Sequence, residues 1–138
     1  MKKSMFVIAL SIILTMIVFS GCQEQNTDVG TTFEGISLES SIVELVNASL
    51  DLHRNEANII DRVDVGYLFH NIAGRDITVN VTVEFYDTDD NILATGGPKY
   101  ISLLKDYTEQ GFGPANIISY DGNNVALIDH VKIIAVEE

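Results

Sequence analysis

Ile77-Thr78-Val79-Asn80-Val81-Thr82-Val83-Glu84-Phe85-Tyr86 alternates apolar and polar residues without a break. A period of two puts Ile77, Val79, Val81, Val83 and Phe85 on one side of an extended chain. All five are β-branched or aromatic, the side chains that a half-buried strand favours. The same pattern recurs upstream. Val63, Val65, Tyr67 and Phe69 alternate with Asp64, Gly66, Leu68 and His70, and Asn71 to Asp76, with Gly74, connects this second strand to the first. Earlier still, Ala48, Leu50 and Leu52 alternate with Ser49, Asp51 and His53, while Val43 and Leu45 are out of phase with them. That mismatch predicts a bulge near Val46-Asn47.

Downstream, Asp87-Thr88-Asp89-Asp90-Asn91 is a turn-forming cluster followed by Ile92-Leu93-Ala94, which predicts a hairpin. Gly96-Gly97-Pro98 is expected to end it, and Tyr100 to Leu104 forms a further short strand. Gly113-Pro114 and Asp121 to Asn124 mark later turns, and Val125 to Val136 has the two-sided apolar character of a strand inside a sheet. About seven short strands at this spacing predict an all-β, antiparallel sandwich, and nothing after Cys22 keeps the spacing of an amphipathic helix.

The first residues are of another kind. Lys2 and Lys3 precede an apolar run from Met5 to Phe19, broken only by Ser11 and Thr15. This is the layout of a secretory leader, and the run is shorter than the roughly 20 residues of a spanning helix. Val18-Phe19-Ser20-Gly21-Cys22 then resembles the lipobox of prokaryotic lipoproteins. The resemblance implies that lipid is attached to the Cys22 sulfur and that the chain is cut just before it. Cys22 is the sole cysteine, so no intrachain disulfide is possible. The expected organisation is a leader over 1–21, a lipidated cysteine and polar tether over 22–40, and one domain over 41–138. Within the tether Phe33, Ile36 and Leu38 are spaced so that they could add a short edge strand.

Lys2 and Lys3 are two of only 8 basic residues, set against 20 acidic ones. After the cut, the negative charge opposes binding to nucleic acid, which needs clustered Lys and Arg. It equally opposes adsorption to anionic lipid, so the membrane link rests on the lipid at Cys22.

Val65-Gly66-Tyr67 leading to Asn71, with Val83-Glu84-Phe85-Tyr86-Asp87 and Asn91-Ile92-Leu93 after it, resembles the FxLYD-type domain. That family is a small immunoglobulin-like β-sandwich found in archaeal and bacterial lipoproteins. The resemblance runs from about Val63 to Val136 and implies an architecture, with no catalytic residue to carry over.

Few residues suggest chemistry. His53, His70 and His130 are far apart and lack metal-ligand spacing, although His70 and His130 would approach if their strands paired. Asp87, Asp89 and Asn91 begin like a calcium loop, but Ile92 and Pro98 stand where the loop needs Gly and Glu. They are therefore weak cation candidates only. No nucleophile motif or phosphate loop is present, so the expectation is neither enzyme nor cofactor. Asn47-Ala48-Ser49 and Asn80-Val81-Thr82 are acceptor patterns for N-glycosylation. The sequence thus leads to a lipid-anchored, extracytoplasmic binding or scaffolding module at the cell membrane, with a protein partner. A cation-responsive sensor or carrier using the acidic turn, and a structural subunit of an envelope complex, are the alternatives.

Overall fold

The computed structural model describes residues 33–138. The leader 1–21 and Cys22 lie outside the described residues. Seven strands form two sheets: β1 (Ile36–Glu39), β2 (Val43–Arg54), β3 (Ile60–Asn71), β4 (Ile77–Tyr86), β5 (Ile92–Leu103), β6 (Ile117–Tyr120) and β7 (His130–Glu137). One sheet has the order β1-β7-β4-β5 and the other β2-β3-β6. The molecule is a β-sandwich, as the alternation requires. Its strand order is immunoglobulin-like: β2, β3 and β6 stand in the A, B and E places, and β4 and β7 in the C and F places.

The core is the inward row of each strand. On β4 the exposures of Ile77, Val79, Val81, Val83 and Phe85 are 5% or less, and Val63, Val65, Tyr67 and Phe69 of β3 face them at 0%. The bulge falls where the phase slip on β2 placed it. Leu45 pairs with Phe69 and Asn47 with Leu68, leaving Val46 as the extra residue.

Four features depart from the sequence reading. First, the domain does not begin at 41: it extends into the segment 22–40, where Phe33, Ile36 and Leu38 supply the short edge strand that their spacing allowed. Ile36 is buried, Phe33 and Leu38 pack against the core, and β1 pairs with β7 from Ile36↔Val131 to Glu39↔Ile134. The pairing is parallel, so the sandwich is antiparallel except at this edge. Four residues are too few to display a period, and Gly35, at φ +69°, turns the chain between Phe33 and Ile36. Second, Gly96-Gly97-Pro98 does not end a strand but kinks one, and β5 runs on to Leu103. A Cβ on Gly96 would stand 2.5 Å from Ile118 Cγ2 and 3.2 Å from the Phe85 ring, so only glycine lets β5 and β6 close together. Proline is tolerated there because β5 is an edge strand.

Third, the segment 125–136 divides into a 3-10 turn at Val125–Leu127 and β7, which lies between β1 and β4. Fourth, Ile117–Tyr120, with only four residues between loops, is a strand that the alternation did not mark. The histidine pairing is also corrected: His70 belongs to β3 and His130 to β7, in opposite sheets.

Asn71 ties the loops at one end. It is fully buried, and its Nδ2 donates to the carbonyls of Arg75 and Leu104, each at 2.8 Å, and of Leu103 at 3.2 Å. Its Oδ1 accepts from Ala73 N at 2.9 Å. Glu109 holds the long 104–116 connection against β3 in a similar way, accepting from Phe69 N at 2.9 Å and from Asn116 Nδ2 at 2.8 Å.

Two predictions follow from the packing. Val81→Asp puts an unpaired charge in the core and is expected to unfold a domain with a total stability of about 5–15 kcal/mol. Thr82→Asp, on the outer face, is expected to cost roughly 1 kcal/mol. Urea melts of both variants check this, and equal damage would contradict the assigned faces. A chain starting at Ser41 loses Ile36 and all of β1, a deletion comparable with removing a large core side chain. Relative to a chain starting at Gln23, its melting temperature is expected to fall by about 10 °C or more, and an unchanged value would place β1 outside the cooperative fold.

Candidate functional site

The inward direction of Leu50, Val63 and Val65 sends their neighbours to the outer face of the three-stranded sheet. There Ser49 lies opposite Gly66, Asp51 opposite Asp64, and His53 opposite Arg62. Two carboxylates directly across a ladder repel one another. The cost at Asp51/Asp64 is offset on one side only. His53 Nε2 is 2.8 Å from Asp64 Oδ2 and Arg62 Nε is 3.2 Å from Asp64 Oδ1. The Arg62 approach has ion-pair distance without hydrogen-bond geometry, and Asp64 Oδ1 is shielded from solvent with no hydrogen-bond donor. Burial pushes the Asp64 carboxyl up, but the Ser119 hydroxyl across the ladder, the Arg62 charge and the contact with His53 outweigh it and hold it below its ordinary range.

Gly66 forms the floor of a cavity of about 380 Å³ beside this pair. A Cβ there would meet Ser49 Oγ at 2.7 Å and the Phe112 ring at 3.0 Å. The Phe112 ring therefore rests on bare backbone, yet remains 42% exposed. Ser49, Asp51, His53, Asp64 and Phe112 line the walls. Ser49 Oγ donates to Asp51 Oδ2 at 2.9 Å, and His53 contacts Asp64, so serine and histidine are not coupled as nucleophile and base. The arrangement suits non-covalent recognition: an aromatic face, a carboxylate and a hydroxyl around one hollow.

The outer face of the other sheet carries a second polar group. Glu84 pairs across the ladder with Lys132, and Tyr86 with His130. Lys132 Nζ is 3.1 Å from Glu84 Oε2, and the Tyr86 and His130 rings stack at 5.1 Å with a 4° interplanar angle. The Tyr86 hydroxyl also donates to Glu84 Oε2. That hydrogen bond, followed by the Lys132 ammonium, holds Glu84 below its ordinary range, and the same bond to Glu84 raises Tyr86 against the opposing pull of Lys132. Every member has a partner, which marks the ladder as a surface clasp joining β4 to β7.

The acidic turn is used internally. Asp87 Oδ1 accepts from the backbone N–H groups of Asp89 and Asn91, each at 2.9 Å, and Asn91 Nδ2 donates to both Asp87 oxygens. Asp90 takes φ +61° and its carboxylate stands 3.3 Å from His130 Nε2. Among the described residues no group of three or more His, Cys, Asp or Glu is placed to hold a metal ion. The two glycosylation sequons differ sharply in setting. Asn47 is exposed at the β2 bulge, whereas Asn80 is half-buried in the doubly paired strand β4.

Sequence reasoning missed this cavity. Phe112 sits between two glycines in a connection without periodicity, and nothing local shows that it folds back onto Gly66. The Asp51–Asp64 juxtaposition needs the β2–β3 register, which the bulge shifts by one residue.

No family model matches the chain. Over 56 residues, 40% of this chain, it is 41% identical to the DNA-directed RNA polymerase subunit beta' of Mycoplasmopsis agalactiae, and the match spans 4% of that subunit's length. Among solved structures, Campylobacter jejuni cj0090 is similar with a TM-score of 0.43 and 11% identity, over 75% of this chain and 100% of that one. Neither similarity establishes a family or an activity.

Asp64 and Glu84 give the stability a definite pH dependence. Their carboxyls titrate lower in the folded than in the unfolded chain, so the stabilisation is complete above the ordinary carboxylate range, about pH 4, and is lost as pH falls through the folded values. The melting temperature is expected to fall between about pH 5 and pH 3, and less steeply in an Asp64→Asn/Glu84→Gln double variant. Identical slopes for the two proteins would contradict the assignment.

Proposed function

We propose that the chain is a non-enzymatic binding module, anchored by lipid on Cys22 to the extracytoplasmic face of a cell membrane. The observation that carries the binding role is the hollow at Gly66, where a partly exposed Phe112 ring and an opposed carboxylate pair stand together on the outer face of the three-stranded sheet. The anchor rests on the leader and on Ser20-Gly21-Cys22, and the FxLYD-type resemblance of the domain accords with a lipoprotein. β1 begins at Ile36, 14 residues after the proposed anchor at Cys22. The negative charge keeps the domain off anionic headgroups and leaves the outer faces open to a protein partner. The acidic turn gives a cation-responsive role little support, because Asp87 and Asn91 satisfy each other.

Cys22→Ser is expected to yield an unlipidated chain that retains its leader or is released from the membrane. A mature variant that still carries lipid and fractionates normally would overturn the anchor. For the binding role, a photo-crosslinking side chain at position 112 is expected to capture a partner in the native membrane, while one at position 82, on the opposite outer face, is not. Equal capture at both positions, or none at 112, would overturn the assignment of the face.

A further inference from the structure

Of its four edge strands, the sandwich leaves one long and weakly protected. β1 and β6 have four residues each, and β5 is broken by Gly97-Pro98 and carries Lys99. β2 has 12 residues, Val43 to Arg54, without proline or lysine, and pairs only with β3. A long free edge invites pairing with another chain unless it is bent, charged or covered. The bulge bends β2 at Val46, but it also turns two successive side chains outward. Val46 is 44% exposed and Asn47, next to it, is exposed as well. Asn47-Ala48-Ser49 is a sequon, so the acceptor pattern sits on the bulge of the long edge strand that has no proline.

Asn80-Val81-Thr82 has the same letters in the opposite setting. β4 is paired on both sides, Asn80 lies between Tyr100 and Val136, and its Oδ1 is shielded from solvent without a hydrogen-bond donor. A transferase needs the amide and the hydroxyl two residues on presented together on accessible backbone. β2 offers one open backbone edge there, and β4 offers none.

We infer that Asn47 is an N-glycan acceptor of the folded chain, that Asn80 is not, and that the sugar covers Val46 and the open edge of β2. The inference rests on the exported reading, since the donor, a polyprenyl-phosphate-linked oligosaccharide, is met outside the cytoplasm. In the transfer, Asn47 Nδ2 forms a bond to C1 of the first sugar while the C1–O bond to phosphate breaks. The lipid phosphate leaves with the bonding electrons, and the amide proton passes to a base of the transferase. No oxidation or reduction occurs.

The test is peptide mapping by mass spectrometry of the full chain purified from its native membrane. The Asn47 peptide is expected at a mass raised by a sugar chain, and the Asn80 peptide at its unmodified mass. Asn47→Gln and, independently, Ser49→Ala are expected to abolish the added mass, whereas Asn80→Gln leaves it in place. An unmodified Asn47 peptide, or a sugar on Asn80, overturns the inference. The peptide beginning at Cys22 is read in the same experiment. Lipid on Cys22 with bare Asn47 refutes the glycan alone, and sugar on Asn47 without lipid on Cys22 refutes the anchor alone.

Discussion

Five side chains of β4, from Ile77 to Phe85, surrender nearly all their surface to the opposite sheet, and each such burial is worth about 1.5–3 kcal/mol. Because β4 is paired on one side with β5 and on the other with β7, the row also fixes the register of both neighbours. A shift of one residue would turn Thr78, Asn80, Thr82 and Glu84 inward, so the register admits no slip. The kink at Gly96 follows from the same constraint. The Phe85 ring fills the space between the sheets where β5 meets β6, leaving no room there for a side chain on Gly96.

The loops at the Asn71 end are held by polar groups rather than by further apolar burial. Asn71 and Glu109 each satisfy several donors or acceptors of connections that would otherwise leave buried backbone groups unpaired. Burial, followed by the charge of Glu109, raises the hydroxyl of Tyr67 well above its ordinary value, and that hydroxyl donates to Ala115 O at 3.0 Å. This anchorage brings the 104–116 connection across β3 and so delivers Phe112 to Gly66. The candidate site thus depends on a buried polar network remote in sequence from the strands that form its floor.

What was legible in the sequence was what period two can carry. β3, β4 and the bulge on β2 were readable because each involves at least five residues in strict alternation or a visible break in it. β6 was not, since four residues carry too little pattern, and of β1 only the spacing of Phe33, Ile36 and Leu38 hinted at an edge strand. The parallel course of β1 depends on a crossing that no local signal records. Gly96-Gly97-Pro98 has the composition of a terminator, and only the partner strand shows it to be a kink. The sequons and the lipobox-like Cys22 were visible as motifs, but the difference between Asn47 and Asn80 depends on which strand lies at an edge. Asp51 and Asp64 are 13 positions apart and meet only through the β2–β3 register.

The central structural claim is that β1 completes the sandwich beside β7, so that the domain takes in Phe33, Ile36 and Leu38 instead of beginning at Ser41. Amide hydrogen exchange on the chain from Gln23 onward tests it most directly. The amides of β1 that face β7 are expected to exchange slowly, together with those of β4 and β7. Exchange of β1 at the rate of an unstructured peptide, with β4 and β7 still protected, would contradict it.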